Sequence, residues 1–312
     1  MLSVLAIVLP IFALILTGWL ARKTKVLGPR AMGEINQFVV YLALPALLFD
    51  IVANADWHAL WQPAFVVTFG LGSIIIFIIA LILSRFGGKH LADAAIDGLN
   101  ASYANTGFIG IPLALAVLGP TSMIPTLIAT ILTVCVVFAL AIVVAEVGLQ
   151  ADSHPGRMLL KIGRQLCRNP LLASPALGAV VMLLGIPIPA PIESFLKLLG
   201  SSASPCALIA LGLFLAQHRT SSQGSLKELS GLVLLKLIAH PLITWLLAAL
   251  VFRLPAPLTQ TAVLMAALPT GTGPFMVAQY YRRDGGMTSA SILVSTLLSL
   301  LTITVYLMLE RT

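Results

Sequence analysis

The stretch Asn100-Ala101-Ser102-Tyr103-Ala104-Asn105-Thr106-Gly107-Phe108-Ile109-Gly110-Ile111-Pro112 sets glycines and a proline inside an otherwise apolar segment. Pro112 donates no amide hydrogen, and its ring crowds the carbonyl four residues back, that of Phe108. In hydrocarbon each unpartnered backbone group costs several kcal/mol. A break of this kind inside a membrane span must therefore face protein or a water-filled cavity. The device recurs in Leu268-Pro269-Thr270-Gly271-Thr272-Gly273-Pro274-Phe275, which gathers two prolines, two glycines and two hydroxyls. Interrupted segments in corresponding positions of two halves point to the midplane site of a secondary carrier. The plainer alternative is a pair of proline kinks satisfied by neighbouring helices.

Composition places these breaks in a bilayer. The chain is 59% hydrophobic and 9% charged, with a mean hydropathy of +1.04, too little polar material to cover a water-soluble globule. A spanning helix needs about 20 mainly apolar residues. Ten such segments are predicted, at 2–21, 35–53, 63–84, 94–118, 122–145, 170–186, 194–216, 229–252, 258–281 and 288–309. The first is too long for the apolar core of a signal peptide and has no basic residue before it.

Charge orients the segments. Arg22, Lys23, Lys25 and Arg30 follow the first; Arg85 and Lys89 the third; Arg157, Lys161, Arg164 and Arg168 the fifth. Arg219 and Lys227 follow the seventh, and Arg282 and Arg283 the ninth, whereas Lys197, Arg253 and Arg311 fall on the other side. The bias puts the odd-numbered joints in the cytoplasm and both termini outside. The net charge of +7 is thus spread over joints and forms no nucleic-acid-binding face.

The longest cytoplasmic joint, 146–169, divides the chain into five segments and five, and an odd number per half inverts the second. Pro10 recurs as Pro170 and Pro45 as Pro205 at the same spacing, and the two breaks recur at nearly that spacing. The fold expected is an all-α polytopic membrane protein of ten transmembrane helices, built as two inverted five-helix repeats at 1–150 and 170–312 joined by a cytoplasmic linker at 151–169.

Within the breaks, Asn105 and Thr106 from the fourth segment and Thr270 and Thr272 from the ninth are the candidate polar ligands of the solute, framed by Gly107, Pro112, Pro269 and Pro274. Asn100 and Gln279 are further candidates, each able instead to bond a neighbouring backbone group. The half-helix amino ends that follow the breaks carry partial positive charge and free N–H groups, which suits an anionic solute.

Other polar residues in the spans are coupling candidates by default. Lys236 and His240 lie one turn apart on one face of the eighth segment. Lys236 is expected to run its stem to the cytoplasmic interface, while His240 is deeper and suited either to proton exchange or to a neutral hydrogen bond. Asp97 and Asp50 are expected at interfaces, with a proton- or cation-coupling role open for Asp97. Tyr280 and Tyr281, beside Arg282 and Arg283, are expected to anchor an interface. Cys135, Cys167 and Cys206 lack metal-ligand spacing and are read as packing residues. His58, His90, His154, His218 and His240 are scattered, and the nucleophile–base pair or metal cluster of an intramembrane enzyme is not visible. The chain is accordingly expected to be no enzyme and to hold no metal or organic cofactor.

The run Asn105-Thr106-Gly107-Phe108-Ile109-Gly110-Ile111-Pro112, the proline-glycine break of the ninth segment and the ten-segment layout resemble the auxin efflux carrier family, especially its bacterial malonate- and malate-permease-like members. The resemblance covers essentially the whole chain. It implies the fold of sodium/proton antiporters and bile-acid symporters, in which the fourth and ninth helices cross. The first, second, sixth and seventh helices form a scaffold there, and the third to fifth and eighth to tenth a transport part. It further implies a solute at the crossing, with the family's typical asparagine carried to Asn105, and a homodimer through the scaffold. Plant auxin carriers have a large central loop. The short joint here favours a carrier of small carboxylates in a bacterial cytoplasmic membrane, with a small organic anion and membrane lipid as partners. Coupling to protons or sodium stays open, as do a passive channel or a solute receptor on the same fold.

Overall fold

Apolar runs punctuated by proline and glycine become helices in the structure, a computed structural model that describes residues 2–56, 60–149, 168–217 and 225–309. In chain order these are α1 (Leu2–Lys23), α2 (Ala31–Ala53), α3 (Pro63–Phe86), α4 (Leu91–Ser102), α5 (Ile111–Leu118) and α6 (Pro120–Leu149). They continue as α7 (Pro170–Leu183), α8 (Ala190–Ala216), α9 (Leu226–Val251), α10 (Ala256–Ala267), α11 (Gly273–Tyr280) and α12 (Gly286–Leu309). No strand occurs among the described residues. The linker read at 151–169 lies, up to residue 167, outside them, as do Cys167, His58, His154 and His218.

Six of these helices are long and apolar enough to cross a bilayer, namely α2, α3, α6, α8, α9 and α12. The side-chain distribution of α12 agrees with lipid as the solvent. Thr288, Ser289, Ser291, Ser295, Thr296 and Ser299 are buried, while Leu297, Leu301, Val305 and Leu309 are exposed. Polar groups inside and leucines outside is the reverse of a soluble helix. The chain is a multi-pass membrane protein.

Three mid-span prolines are accommodated by widened turns. A π-helical turn at Val39–Ala43 precedes Pro45, another at Thr106–Gly110 precedes Pro112, and a third at Leu235–Ala239 precedes Pro241. The extra residue per turn carries the crowded carbonyl away from the ring, so the helix passes the proline without stopping. This corrects the reading of the first break. Pro112 sits inside a helix that restarts at Thr106 and runs through the π-turn into α5, and the chain is interrupted upstream, at Tyr103 to Asn105.

Close helix crossings rest on glycine. A Cβ at Gly212 would lie 2.0 Å from Ile15 O and one at Gly18 would lie 2.2 Å from Ile209 O, so α1 and α8 touch backbone to backbone. Where α7 meets α2, a Cβ at Gly178 would lie 2.8 Å from Phe49 O. Small residues permit the approach, and packing then holds helices that gain no hydrophobic driving force from lipid.

Candidate functional site

The two interrupted segments cross and bond to one another. Ala104 and Thr270 form an isolated antiparallel bridge. Asn105 N–H donates to Pro269 O at 2.9 Å, and Gly271 N–H donates to Tyr103 O at 3.0 Å. Each break thus satisfies backbone groups left over by the other, answering the cost of unpaired amides in hydrocarbon. Side chains complete the joint: Thr270 Oγ1 donates to Asn100 O at 2.7 Å, and Thr270 N–H donates to Ser295 Oγ on α12 at 3.1 Å.

Beside the crossing lies a cavity of about 430 Å³, between α2 and α8 on one side and α4, α5, α6 and α11 on the other. Its walls include Leu44, Leu47, Ile51, Tyr103, Leu127, Val134 and Met276, and its polar groups are Asn105, Thr106, Thr130, Ser201, Ser204 and Thr272. None of the described residues lining it is charged.

Thr106 is 1% exposed and its Oγ1 has no hydrogen-bond partner. Asn105 precedes the restarted helix without capping it, and Thr272 precedes α11 without capping it. Two helix starts therefore meet the cavity wall with first-turn N–H groups not taken by those side chains. Together with an amide and hydroxyls, this is a donor-rich, uncharged lining suited to a small anion.

Tyr103 closes the floor. Its ring packs so tightly on the second break that a Cβ at Gly273 would lie 2.6 Å from the ring and one at Gly271 would lie 2.9 Å from it. Glycine at both positions lets α11 begin directly beneath the ring.

Of the residues singled out in the sequence, Asn105, Thr106, Gly107 and Thr272 line the cavity. Asn100, Pro269, Thr270 and Pro274 do not line it; they are buried in and beside the joint. Pro112 is exposed and Gln279 partly buried, both away from the cavity lining. Tyr103, Ser201 and Ser204 line it without having been singled out, their only signal being proximity to Asn105 and to Pro205.

The coupling candidates divide between two places. Asp97 is 3% exposed and accepts from Ser84 Oγ at 2.6 Å and Lys89 Nζ at 2.7 Å. Asn100 Nδ2 lies 3.5 Å from Asp97 and 3.2 Å from Thr288 Oγ1. Asp97 and Thr288 line a second cavity of about 390 Å³ with Lys89, Asp93, Glu228, Arg282, Arg283 and Asp284. In the loops around it, Lys89 titrates above its ordinary range: burial opposes its charge, and the carboxylates of Asp97 and Glu228 outweigh that opposition. Arg283 is likewise raised, by its paired bonds to Asp93.

Lys236 and His240 stand elsewhere, fully buried between α9, α3 and α10. Lys236 does not reach the interface; its Nζ donates to Ala266 O at 2.7 Å. One further expectation is corrected: Glu146 is no part of a loop but lies fully buried within α6, where its Oε1 accepts from the Tyr281 hydroxyl at 2.7 Å. Asp50 is half-buried in α2 and accepts from Asn54 at 2.7 Å.

Comparison with known proteins agrees with this architecture. The family described as "Membrane transport protein" matches residues 3–307. A putative malonate transporter of Rhizobium meliloti is 32% identical over 312 residues, covering 100% of this chain and 97% of that protein. The uncharacterized transporter YfdV of Escherichia coli K12 is 25% identical, over 93% of this chain and 92% of its own. Auxin efflux carrier component 8 of Arabidopsis thaliana is 24% identical, over 97% of this chain and 96% of its own. The chain belongs to the membrane transport protein family, that of the auxin efflux carriers.

Proposed function

We propose that the protein is a secondary carrier that moves a small organic anion, a mono- or dicarboxylate such as malonate or malate, across a bacterial cytoplasmic membrane by alternating access. The observation that carries this reading is the crossing itself. Exchanging Tyr103, Ala104 and Asn105 with Pro269, Thr270 and Gly271 maps the bond Asn105–Pro269 onto the bond Gly271–Tyr103. Any antiparallel pair exchanges in this way; what supports the reading is that two interrupted segments, one from each half of the chain, meet at one point, as expected of ten spans in two inverted repeats.

The helix pairings support the same exchange. α1 packs on α8, and α7 packs on α2, which is one pairing seen from the two halves. On this reading α1, α2, α7 and α8 are the scaffold and the remaining helices the transport part, with both termini outside. The 430 Å³ cavity falls between these parts, and the joint of Asn100 and Thr270 separates it from the charged 390 Å³ cavity. Sliding of the transport part would expose the donors of the crossing to each side in turn. The putative malonate transporter at 32% identity makes a small dicarboxylate the first solute to test.

The test is uptake and counterflow of labelled malonate, malate and monocarboxylates in proteoliposomes. Saturable uptake accelerated by unlabelled solute on the far side is expected, with Asn105→Ala raising KM or abolishing uptake. Large unitary currents without counterflow would instead mark a channel, and wild-type kinetics in Asn105→Ala would remove that residue from the site.

A further inference from the structure

The interface between the scaffold and transport parts is built differently along its length. One half holds the 430 Å³ cavity, between Leu47, Ile51 and Ser201 on one side and Leu127 and Thr130 on the other. The other half is packed shut. There Val40, Ala203 and Ala207 of α2 and α8 join Tyr103, Phe138 and Met276 of the facing part in one buried cluster. The charge of the joints assigns the packed half to the cytoplasmic side.

The rim of this seam is polar. Glu146 of α6 is fully buried; its Oε1 accepts from the Tyr281 hydroxyl at 2.7 Å, and its Oε2 has no partner among the described residues. Across the seam, Asn169 starts α7 and is 1% exposed. Its Oδ1 accepts Leu171 N–H at 3.0 Å, its main-chain carbonyl accepts Leu172 and Ala173 N–H, and Pro170 has no amide hydrogen. Every N–H of that first turn is thus engaged or missing. What remains is Asn169 Nδ2, which is buried without a partner and faces the Tyr281 hydroxyl.

An orphaned acceptor on the transport part and an orphaned donor on the scaffold therefore stand against one tyrosine hydroxyl. Buried polar groups left unpaired are costly, and these two are complements: one hydrogen bond, direct or through a water, satisfies both. The amino end of α7 carries partial positive charge and adds an attraction for the carboxyl oxygen. No cation among the described residues bonds Glu146; Arg283 is paired with Asp93, and Arg168 is exposed. Beside the group, Tyr280 sets its ring against that of Tyr41 of α2, with centroids 6.1 Å apart, a second contact across the same seam.

We infer that Asn169, Glu146 and Tyr281 form the latch of the cytoplasmic side: the carboxyl and hydroxyl of the transport part hold the scaffold's spare donor while the solute cavity lies on the outer side, and the latch parts when the transport part moves. All three are positioning residues. The inference rests on the carrier reading for its purpose, and its first test is independent of any solute.

The detergent-purified full chain, with Cys135, Cys167 and Cys206 replaced by serine, carries one reporter cysteine: Ala207→Cys in the packed seam or Ser201→Cys at the cavity. The rate of modification by a charged maleimide is measured. In the otherwise unaltered protein Ser201→Cys should react fast and Ala207→Cys slowly. Asn169→Asp keeps the cap oxygen but turns the spare donor into an acceptor facing a carboxyl, and Glu146→Gln sets amide donor against amide donor. Each should speed Ala207→Cys by about tenfold, the loss of one buried hydrogen bond, and slow Ser201→Cys. Combining Asn169→Asp with Glu146→Gln exchanges donor and acceptor and should return both rates toward the starting values. General loosening would speed both reporters, and that result overturns the latch, as do unmoved rates or a double variant no better than the single ones. If the reporters shift in opposite directions and no tested acid is transported in proteoliposomes, the latch stands and the carrier reading fails; transport with unmoved reporters does the reverse.

Discussion

Ala104 and Thr270, far apart in the chain, face each other as an antiparallel pair at the point where two interrupted helices cross. The pair is unequal in its side chains, since Thr270 adds a 2.7 Å hydroxyl bond to Asn100 O that Ala104 cannot return. Replacing Thr270 with valine keeps its shape and leaves a buried carbonyl unsatisfied, at a cost of about 1–3 kcal/mol. Thr270→Val should therefore unfold at lower temperature than the wild type, with Thr270→Ser close to it, in a thermal melt of the purified protein.

Thr106 predicts the opposite pattern. Its hydroxyl is buried at the cavity without a partner, so the fold gains nothing from it. Thr106→Val should leave the unfolding temperature unchanged or raise it while uptake falls. A parallel loss of stability and uptake would show that the hydroxyl serves the fold and not the solute.

Gly273 lies beneath the Tyr103 ring with no room for a Cβ, which would stand 2.6 Å from the ring. Gly273→Ala should force ring and helix apart at about 1–3 kcal/mol, the usual range for overpacking. Adding Tyr103→Leu should recover part of the stability, whereas Tyr103→Phe, which keeps the ring, should not. Additive losses in the first double mutant would place the clash elsewhere.

The Lys89 pair gives a dependence on pH. Its folded-state pKa lies above the ordinary 10.5 because the carboxylates of Asp97 and Glu228 outweigh the burial that opposes its charge. A raised lysine pKa stabilises the fold fully below the unfolded value and loses that contribution as pH rises through the folded one. Between neutrality and about pH 9 the wild type should show no change from this pair. At more alkaline pH its unfolding temperature should fall further than that of Lys89→Met, for which this contribution is already absent.

Much of the architecture is legible in the sequence. Apolar runs of spanning length predicted helices whose observed bounds, α3 at Pro63–Phe86 and α12 at Gly286–Leu309, depart little from 63–84 and 288–309. The proline-glycine clusters marked both interruptions, because a missing amide and a missing side chain act on the nearest turn. Asn105, Thr106 and Thr272 were legible as polar groups in apolar surroundings. The exact point of interruption was not. Pro112 looked decisive, but a π-turn absorbed its cost and the chain parted at Tyr103 to Asn105.

By itself the sequence determined the solvent, the spans and where they weaken, since these depend on side-chain polarity and on constraints that residues impose on their own backbone. Only the tertiary structure decided which weak point answers which. The pairing of Ala104 with Thr270, the hold of Lys236 on Ala266 and the bond of Tyr281 to Glu146 all join residues distant in the chain. They form because groups stranded by one helix in hydrocarbon must find partners on another.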